Sequence, residues 1–284
     1  MASLRQIRRR MKSIENIHEI TKAMEMIAAF RFKKAENRFS RSRAYLGELE
    51  KLVGNLAAAA GRMEDPLFER RELKRKTLVV MTGDKGLCGA YNSNLLRTAQ
   101  GWMRDNAAYE LSVLPIGKVG AEFFRRKKAP LIGTGGERGA VDAAYGKRLN
   151  EELKQLFLSG RTDSVEILHT NYRVGGTGQN VFTPFLSLSW LMDRPSQGLA
   201  EYIYEPGFKD VFLTLLSRYL EGKVYLTLLE SVTSEYSARM VAMKQATENG
   251  EEVLDSLKLL RNKTRQATIT RELSEIVGGA AALV

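Results

Sequence analysis

The stretch with the most suggestive chemistry is Gly83-Asp84-Lys85-Gly86-Leu87-Cys88-Gly89. It follows a β-rich run and precedes a helical pattern, the setting in which glycine-rich loops offer backbone N–H groups to phosphate. The spacing fits neither of the usual cradles. A P-loop ends in Gly-Lys-Ser/Thr, where this chain has Cys88-Gly89-Ala90. The dinucleotide fingerprint is Gly-x-Gly-x-x-Gly, whereas the glycines here are spaced Gly-x-x-Gly-x-x-Gly. A tight structural turn is the better reading, and no nucleotide is assigned. Cys88 stands at a helix start, a position that activates thiols. A nucleophile also needs a base, and the two histidines, His18 and His169, belong to other elements. We therefore read Cys88 as a small packed residue. One cysteine and two histidines leave neither a zinc set nor an intrachain disulfide. The carboxylates sit among lysines and arginines on helical faces, so no acid–base pair, catalytic residue, metal ligand or cofactor is assigned.

Charge is more informative. The chain carries a net charge of +11, and residues 1–43 hold twelve Lys/Arg against four Glu. A solvated helix face mixes signs more evenly, so the excess points to an acidic partner along this segment. Nucleic acid fits electrostatically, but no recognised nucleic-acid motif accompanies the charge, and a groove-reading helix does not need the apolar stripe described next. At the other end, Ile276-Val277-Gly278-Gly279-Ala280-Ala281-Ala282-Leu283-Val284 has no charged side chain. Chain ends are usually polar; an apolar tip either folds back into a core or enters another protein's collar.

The elements that must carry these features are divided by proline. Pro66, Pro115, Pro130, Pro184, Pro195 and Pro206 all lie in the middle of the chain, and proline is the strongest interrupter of helix interiors. Leu4, Ile7, Met11, Ile14, Ile17, Ile20, Met24 and Ile27 recur at steps of three and four, which predicts one apolar helix stripe. A helix over 3–57 would be about 80 Å long. Leu229, Val232, Tyr236, Met240, Met243, Thr247, Gly250, Leu254 and Leu257 repeat the pattern near the 3.5 average of a coiled coil. That second helix, over about 208–280, would exceed about 100 Å. Neither can bury its stripe alone, and the simplest partner for each is the other, as an antiparallel coiled coil. The alternative is a bundle of shorter helices broken near Gly47, Gly54, Gly222 and Gly250. Between them, strand candidates at 77–82, 110–116, 164–172 and 181–188 alternate with helix candidates at 92–106, 119–126 and 141–158. A hairpin connection is expected at 175–178. This alternation predicts an α/β sheet, mainly parallel with an antiparallel edge. The domains expected are 1–65 (helix), 66–206 (α/β) and 207–284 (helix). No apolar run reaches the roughly 18 residues needed to span a membrane, and Met1–Arg10 has no apolar segment behind its charges, so it does not read as a secretory signal.

Several motifs, in order along the chain, resemble the gamma subunit of bacterial-type F-type ATP synthases. They are Ile20-Thr21-Lys22-Ala23-Met24-Glu25-Met26-Ile27-Ala28-Ala29, the Gly86-Leu87-Cys88-Gly89-Ala90-Tyr91-Asn92 loop, Ser234-Glu235-Tyr236-Ser237-Ala238-Arg239-Met240-Val241-Ala242-Met243-Lys244, and Asn262-Lys263-Thr264-Arg265-Gln266-Ala267-Thr268-Ile269-Thr270. The resemblance covers essentially the whole chain and is weakest between about 125 and 200. It implies an antiparallel coiled coil of the terminal helices with a Rossmann-like α/β foot domain, and a non-catalytic, rotating central stalk. Its implied partners are the alpha and beta subunits of a catalytic ring, the epsilon subunit and a membrane rotor (c) ring, with no nucleic acid. By position, the coupling contacts to the ring are Lys22, Met24, Arg265, Gln266, Thr270 and Glu275, and the rotor-ring contacts are Tyr204 and Glu205. The implied location is peripheral, on the cytoplasmic face of a bacterial inner membrane. Phe30-Arg31-Phe32 is bulkier than the family's small-residue stretch there, and Arg271 replaces a common glutamine. No cysteine pair like the chloroplast redox insertion is present.

Two other classes compete with this reading. A free-standing basic coiled-coil scaffold shares the stripe and the charge but has no need of the apolar tip. A phosphate-ligand enzyme built on the α/β middle needs the P-loop lysine and acid–base pair that are missing.

Overall fold

A computed structural model describes residues 3–59, 65–173, 178–192, 204–205 and 207–281. The proline-free ends form two long helices, α1 (Leu4–Ala59) and α6 (Phe208–Ala281). Between them lie β1 (Arg75–Met81), α2 (Tyr91–Asp105), β2 (Glu110–Ile116), α3 (Lys118–Arg126), α4 (Ala143–Leu158), β3 (Ser164–Thr170), β4 (Asn180–Leu186) and a one-turn helix α5 (Ser189–Met192). The expected strands and helices are all present, with ends shifted by a residue or two. The hairpin connection expected at 175–178 lies, for 175–177, outside the described residues.

The helices are not broken at their glycines. Gly47, Gly54, Gly222 and Gly250 are all internal to α1 or α6, so the bundle of short helices is set aside. Two of these glycines mark close approach: a side chain at Gly222 would meet Leu46, and one at Gly250 would meet His18. Gly47 has open space around it. Gly47→Ala is therefore expected to stabilise the chain by about 0.5–1 kcal/mol through helix propensity alone, measurable as a rise in the urea midpoint with an unchanged slope.

The chain divides into two compact units, Phe30–Ala238 and a second made of Met1–Ala29 with Arg239–Val284. In the larger unit the sheet order is β2-β1-β3-β4. β1 pairs in parallel with β2 and β3, while β4 runs antiparallel to β3 at the edge. β1 is buried on both faces, as a central parallel strand must be. Its alternate residues separate two cores. Leu78 and Val80 pack with Leu95, Trp102 and Phe124 of α2 and α3. Val79 and Met81 pack with Leu153 and Phe157 of α4, Phe39 and Val53 of α1, and Phe212, Leu220 and Leu228 of α6.

In the smaller unit the two helices pair antiparallel. Ile7 and Met11 pack with Leu257, His18 Nε2 lies 3.0 Å from Glu251 Oε1, and Thr247 Oγ1 donates to Thr21 Oγ1 at 3.0 Å. The α6 stripe expected from sequence is the buried one: Met243, Thr247, Leu254 and Leu257 are buried. The α1 stripe needs correction. Ile7 and Met11 are buried, but Ile17, Ile20 and Ile27 are about half exposed or more, at 49%, 58% and 53%. Ile14 and Met24 are half-buried as expected, and the other inward positions are His18, Thr21 and Ala28. The physical reason is period: the stripe read from sequence took three successive steps of three, which drift off a seam that must average about 3.5 residues per step.

Candidate functional site

The glycine loop is tied both to the start of α2 and to a second loop. Gly83 N donates to Asn92 Oδ1 at 2.9 Å, and the Asn92 amide reaches Lys85 O at 3.5 Å and Cys88 Sγ at 3.2 Å. Asp84 Oδ1 accepts from the N–H groups of Lys118 and Arg138, and its Oδ2 from Gly139 N, at 2.9–3.0 Å. Burial alone would raise the Asp84 carboxyl, but these three donors and the Arg138 charge hold it below the usual carboxylate range. The loop is thus a turn that ties down a second loop. Cys88 is buried at 2% exposure. Neither imidazole serves it as a base: His18 faces Glu251, and His169 faces Thr183 and Glu230. Among the described residues no group of three His, Cys, Asp or Glu converges as a metal set.

What this loop helps to build was not visible in the sequence. Arg138 Nη2 donates to Glu235 Oε2 at 2.7 Å, joining the loop before α4 to the middle of α6, with both side chains buried. The Arg138 Nη1 group reaches Thr82 O at 3.4 Å. Burial works against the guanidinium charge, but Glu235 outweighs it and raises the Arg138 pKa. Gly83 lies flat on the Glu235 carboxylate, which a Cβ there would approach to 2.9 Å. Tyr91 Oη lies 2.8 Å from Ser231 Oγ and 3.0 Å from Ser231 O, one turn back along α6. The result is a buried polar joint between the α/β sheet and α6, inside the larger unit.

A second buried polar group of this unit is His169. Its Nε2 lies 2.9 Å from Thr183 Oγ1, and its Nδ1 is buried without a hydrogen bond, 3.6 Å from Glu230 Oε2. Burial lowers the His169 pKa to about 4, and burial likewise raises that of Glu230, against the Tyr172 N–H and Arg43. The two directions agree: desolvation outweighs pairing and pushes both toward neutrality. The unfolded imidazole, with a pKa near 6.5, binds a proton that the folded one refuses. Stability from this group is therefore complete above about pH 6.5 and is lost as pH falls toward 4, by about 3 kcal/mol. Glu230 contributes with opposite sign, because its raised carboxyl takes up protons in the folded state. Subtracting the urea-denaturation pH profile of His169→Gln from that of wild type isolates the histidine, and the difference should grow below pH 6.5.

The positions carried over from the resemblance fall at separate levels. In the smaller unit Lys22 is exposed and Met24 half-buried beside the seam, while Arg265, Gln266, Thr270 and Glu275 are all exposed on α6. Thr21 is level with Thr247, so Arg265 lies about 27 Å farther along α6 at 1.5 Å per residue. Lys22 and Met24 thus lie at one level on α1, and the other four are spread along residues 265–275 of α6 at another. Arg271 Nε lies 3.7 Å from Glu275 on the same face. Beyond Leu257 the described part of α6 is largely exposed, including Ile269, Leu273, Ile276 and Val277 at 48–67%; the side chains from 279 onward lie outside the described residues. In the larger unit Tyr204 packs edge-on against Phe208 at 5.1 Å and joins the core, while Glu205 is exposed. Phe30 is 73% exposed, whereas Phe32 packs edge-on against Tyr172 at 5.7 Å and Arg31 lies over the Tyr236 ring.

An antiparallel pair of long terminal helices in one unit and a four-stranded α/β sheet packed against helices in the other define the class as an α/β protein with a long helical coiled coil. Comparison gives the particular family. The ATP synthase family profile matches residues 3–283. The ATP synthase gamma chain of Pelotomaculum thermopropionicum is 37% identical over 287 residues, covering 100% of both chains. That of Ralstonia nicotianae is 38% identical over 295 residues, again with 100% of each covered. In fold, the chain is similar to one from the Euglena gracilis mitochondrial ATP synthase OSCP/F1/c-ring structure, with a TM-score of 0.71 at 19% identity, covering 99% of this chain and 94% of that one. A chain of the Tetrahymena thermophila central stalk/c-ring structure matches with a TM-score of 0.60 at 23% identity over 80% of this chain and 99% of that one. The chain belongs to the ATP synthase gamma-chain family and is a non-catalytic subunit of that complex. No helix among the described residues is long and apolar enough to cross a membrane.

Proposed function

We propose that this chain is the rotating central stalk of an F-type ATP synthase, coupling transmembrane ion flow to ATP synthesis and hydrolysis in a catalytic ring of alpha and beta subunits. The observation that carries this beyond family membership is the far end of α6. It continues past its pairing with α1 and presents Ile269, Leu273, Ile276 and Val277 to solvent. A single helix with an apolar stripe is poorly stable in water and calls for an enclosing partner. A collar at the top of the catalytic ring supplies one, and apolar contact without fixed polar bonds suits a surface that must turn. The basic face of residues 1–43 meets acidic segments of the same ring.

In this reading 1–65 and 207–284 make the shaft and 66–206 the foot, which sits on the epsilon subunit and the membrane c ring. Tyr204 and Glu205 belong to the rotor-ring side. Lys22 and Met24 meet the ring at one level, and Arg265, Gln266, Thr270 and Glu275 at another. An asymmetric shaft in contact with chemically identical catalytic subunits favours a different conformation in each. That is a coupling free energy, and it is reciprocal: nucleotide binding turns the shaft as the shaft changes nucleotide affinity. The location that follows is peripheral, on the cytoplasmic face of a bacterial inner membrane.

Pull-down of the chain from its native membranes in mild detergent, with ATPase assayed on the eluate, tests the reading. One copy of this chain per three catalytic subunits is expected, and deletion of 269–284 should lower ion pumping per ATP hydrolysed. Recovery of the chain alone, or with nucleic acid and no ATPase, would overturn it.

A further inference from the structure

Within the 30–238 unit, α6 meets the α/β domain through two kinds of contact. The first is apolar: Phe212, Leu216, Tyr219, Leu220, Val224 and Leu228 are buried in the shared core. Such contact is strong but non-directional, so it holds elements together without fixing one register steeply over its neighbours. The second is the polar joint at Ser231–Glu235. There the 2.7 Å Arg138–Glu235 bond is shielded from water by side chains only 5% and 3% exposed, and Arg138 is held from behind by Asp84 through its own N–H and that of Gly139. A charged hydrogen bond in a low-dielectric site loses energy sharply with displacement or rotation. Stability alone does not require it, since a buried ion pair can usually be replaced by packed apolar side chains at little or no cost. A registry role is the best-attested use of such a pair.

Resting on the rotor reading, we propose that the Arg138–Glu235 pair is the point at which turning force applied to the α/β domain is handed to α6, by fixing the axial and rotational register of the helix against the sheet. Arg138 and Glu235 are then positioning residues for energy coupling. They act through α6 and touch no nucleotide. The glycine loop has its part in this arrangement: Gly83 leaves room for the Glu235 carboxylate, and Asp84 anchors the Arg138 loop.

The test uses the whole ATP synthase reconstituted in liposomes, reading ATP hydrolysis, ions pumped per ATP, and the thermal midpoint of the variant chain. Arg138→Met/Glu235→Leu should assemble and melt close to wild type yet pump about fivefold fewer ions per ATP. Arg138→Lys, which keeps the charge pair, should recover most of the loss. Gly83→Ala retains both charges but pushes the Glu235 carboxylate away from its position. It should lower pumping per ATP in the same direction, and it decides the matter if the double variant fails to fold. Wild-type pumping per ATP in Arg138→Met/Glu235→Leu, or in Gly83→Ala where the double variant does not fold, would overturn the proposal, as would losses that simply track melting temperature across the set. Failure of the wild-type chain to assemble with an ATPase ring would instead overturn the rotor reading on which the proposal rests.

Discussion

Glu235→Ala is expected to cost about 3–5 kcal/mol of folding stability, among the larger effects a single substitution in this chain can have. Arg138 and Glu235 are both buried, and the Arg138 Nε already lacks a hydrogen-bond partner. Removing the carboxylate leaves a guanidinium charge in the interior with a 3.4 Å contact to Thr82 O and the more distant Asp84 carboxylate. An uncompensated buried charge is far more costly than a missing pair, because the desolvation of the remaining ion is no longer offset. The comparison with Arg138→Met/Glu235→Leu separates these effects. Urea denaturation of the full-length single variant should show a midpoint far below wild type, while the double apolar variant stays close to it. Equal losses in both would mean that packing volume rather than charge governs the site.

Gly117→Ala is expected to cost about 3 kcal/mol. Gly117 connects β2 to α3 with φ +100°, in the left-handed region that an L side chain resists. A Cβ at this position would also collide with the Thr82 carbonyl oxygen and Oγ1. Neither can move cheaply. Thr82 N donates to Ile116 O at 2.7 Å, and Thr82 Oγ1 donates to Ile116 O and accepts from Gly120 N. Gly86 is the control, since a Cβ there meets nothing within 4 Å. Gly86→Ala should leave the urea midpoint within about 0.5 kcal/mol of wild type. A Gly117→Ala chain as stable as Gly86→Ala would contradict the packing described at the end of β1.

The long helices were legible because proline exclusion and a sustained apolar repeat act over dozens of residues and reinforce each other. The α6 seam was read correctly because its steps mix threes and fours and stay near the 3.5-residue average of a coiled coil. The α1 seam was not, because Ile17, Ile20 and Ile27 outrank His18, Thr21 and Ala28 in hydrophobicity yet lie off the 3.5-residue path. The joint at Glu235 was beyond a stripe argument altogether. Nearly every residue from Thr227 to Glu235 is buried, so this part of α6 has no polar face on which to place a glutamate. A signal was present in Thr227, Ser231, Thr233 and Ser234. Thr227 and Thr233 satisfy their hydroxyls on the carbonyl one turn back, at 2.8 and 2.7 Å, while Ser231 reaches Met81 O and Ser234 reaches Thr170 O. Small self-satisfying hydroxyl residues clustered in a helix interior mark a close approach to another backbone. Arg138 carried no comparable mark, since its partner is 97 positions away. In the glycine loop, Gly83 N is bonded to Asn92 and the Asp84 carboxylate anchors the Arg138 loop.

The central claim is that this chain turns within its complex. Cys88 is buried, and Lys127 at the end of α3 is exposed, so Lys127→Cys provides one accessible thiol for a probe. With the catalytic ring fixed to a surface and ATP supplied, the probe is expected to revolve continuously in one direction and to stop when ATP is removed. A probe that stays fixed relative to the ring while ATP is being hydrolysed would contradict the account.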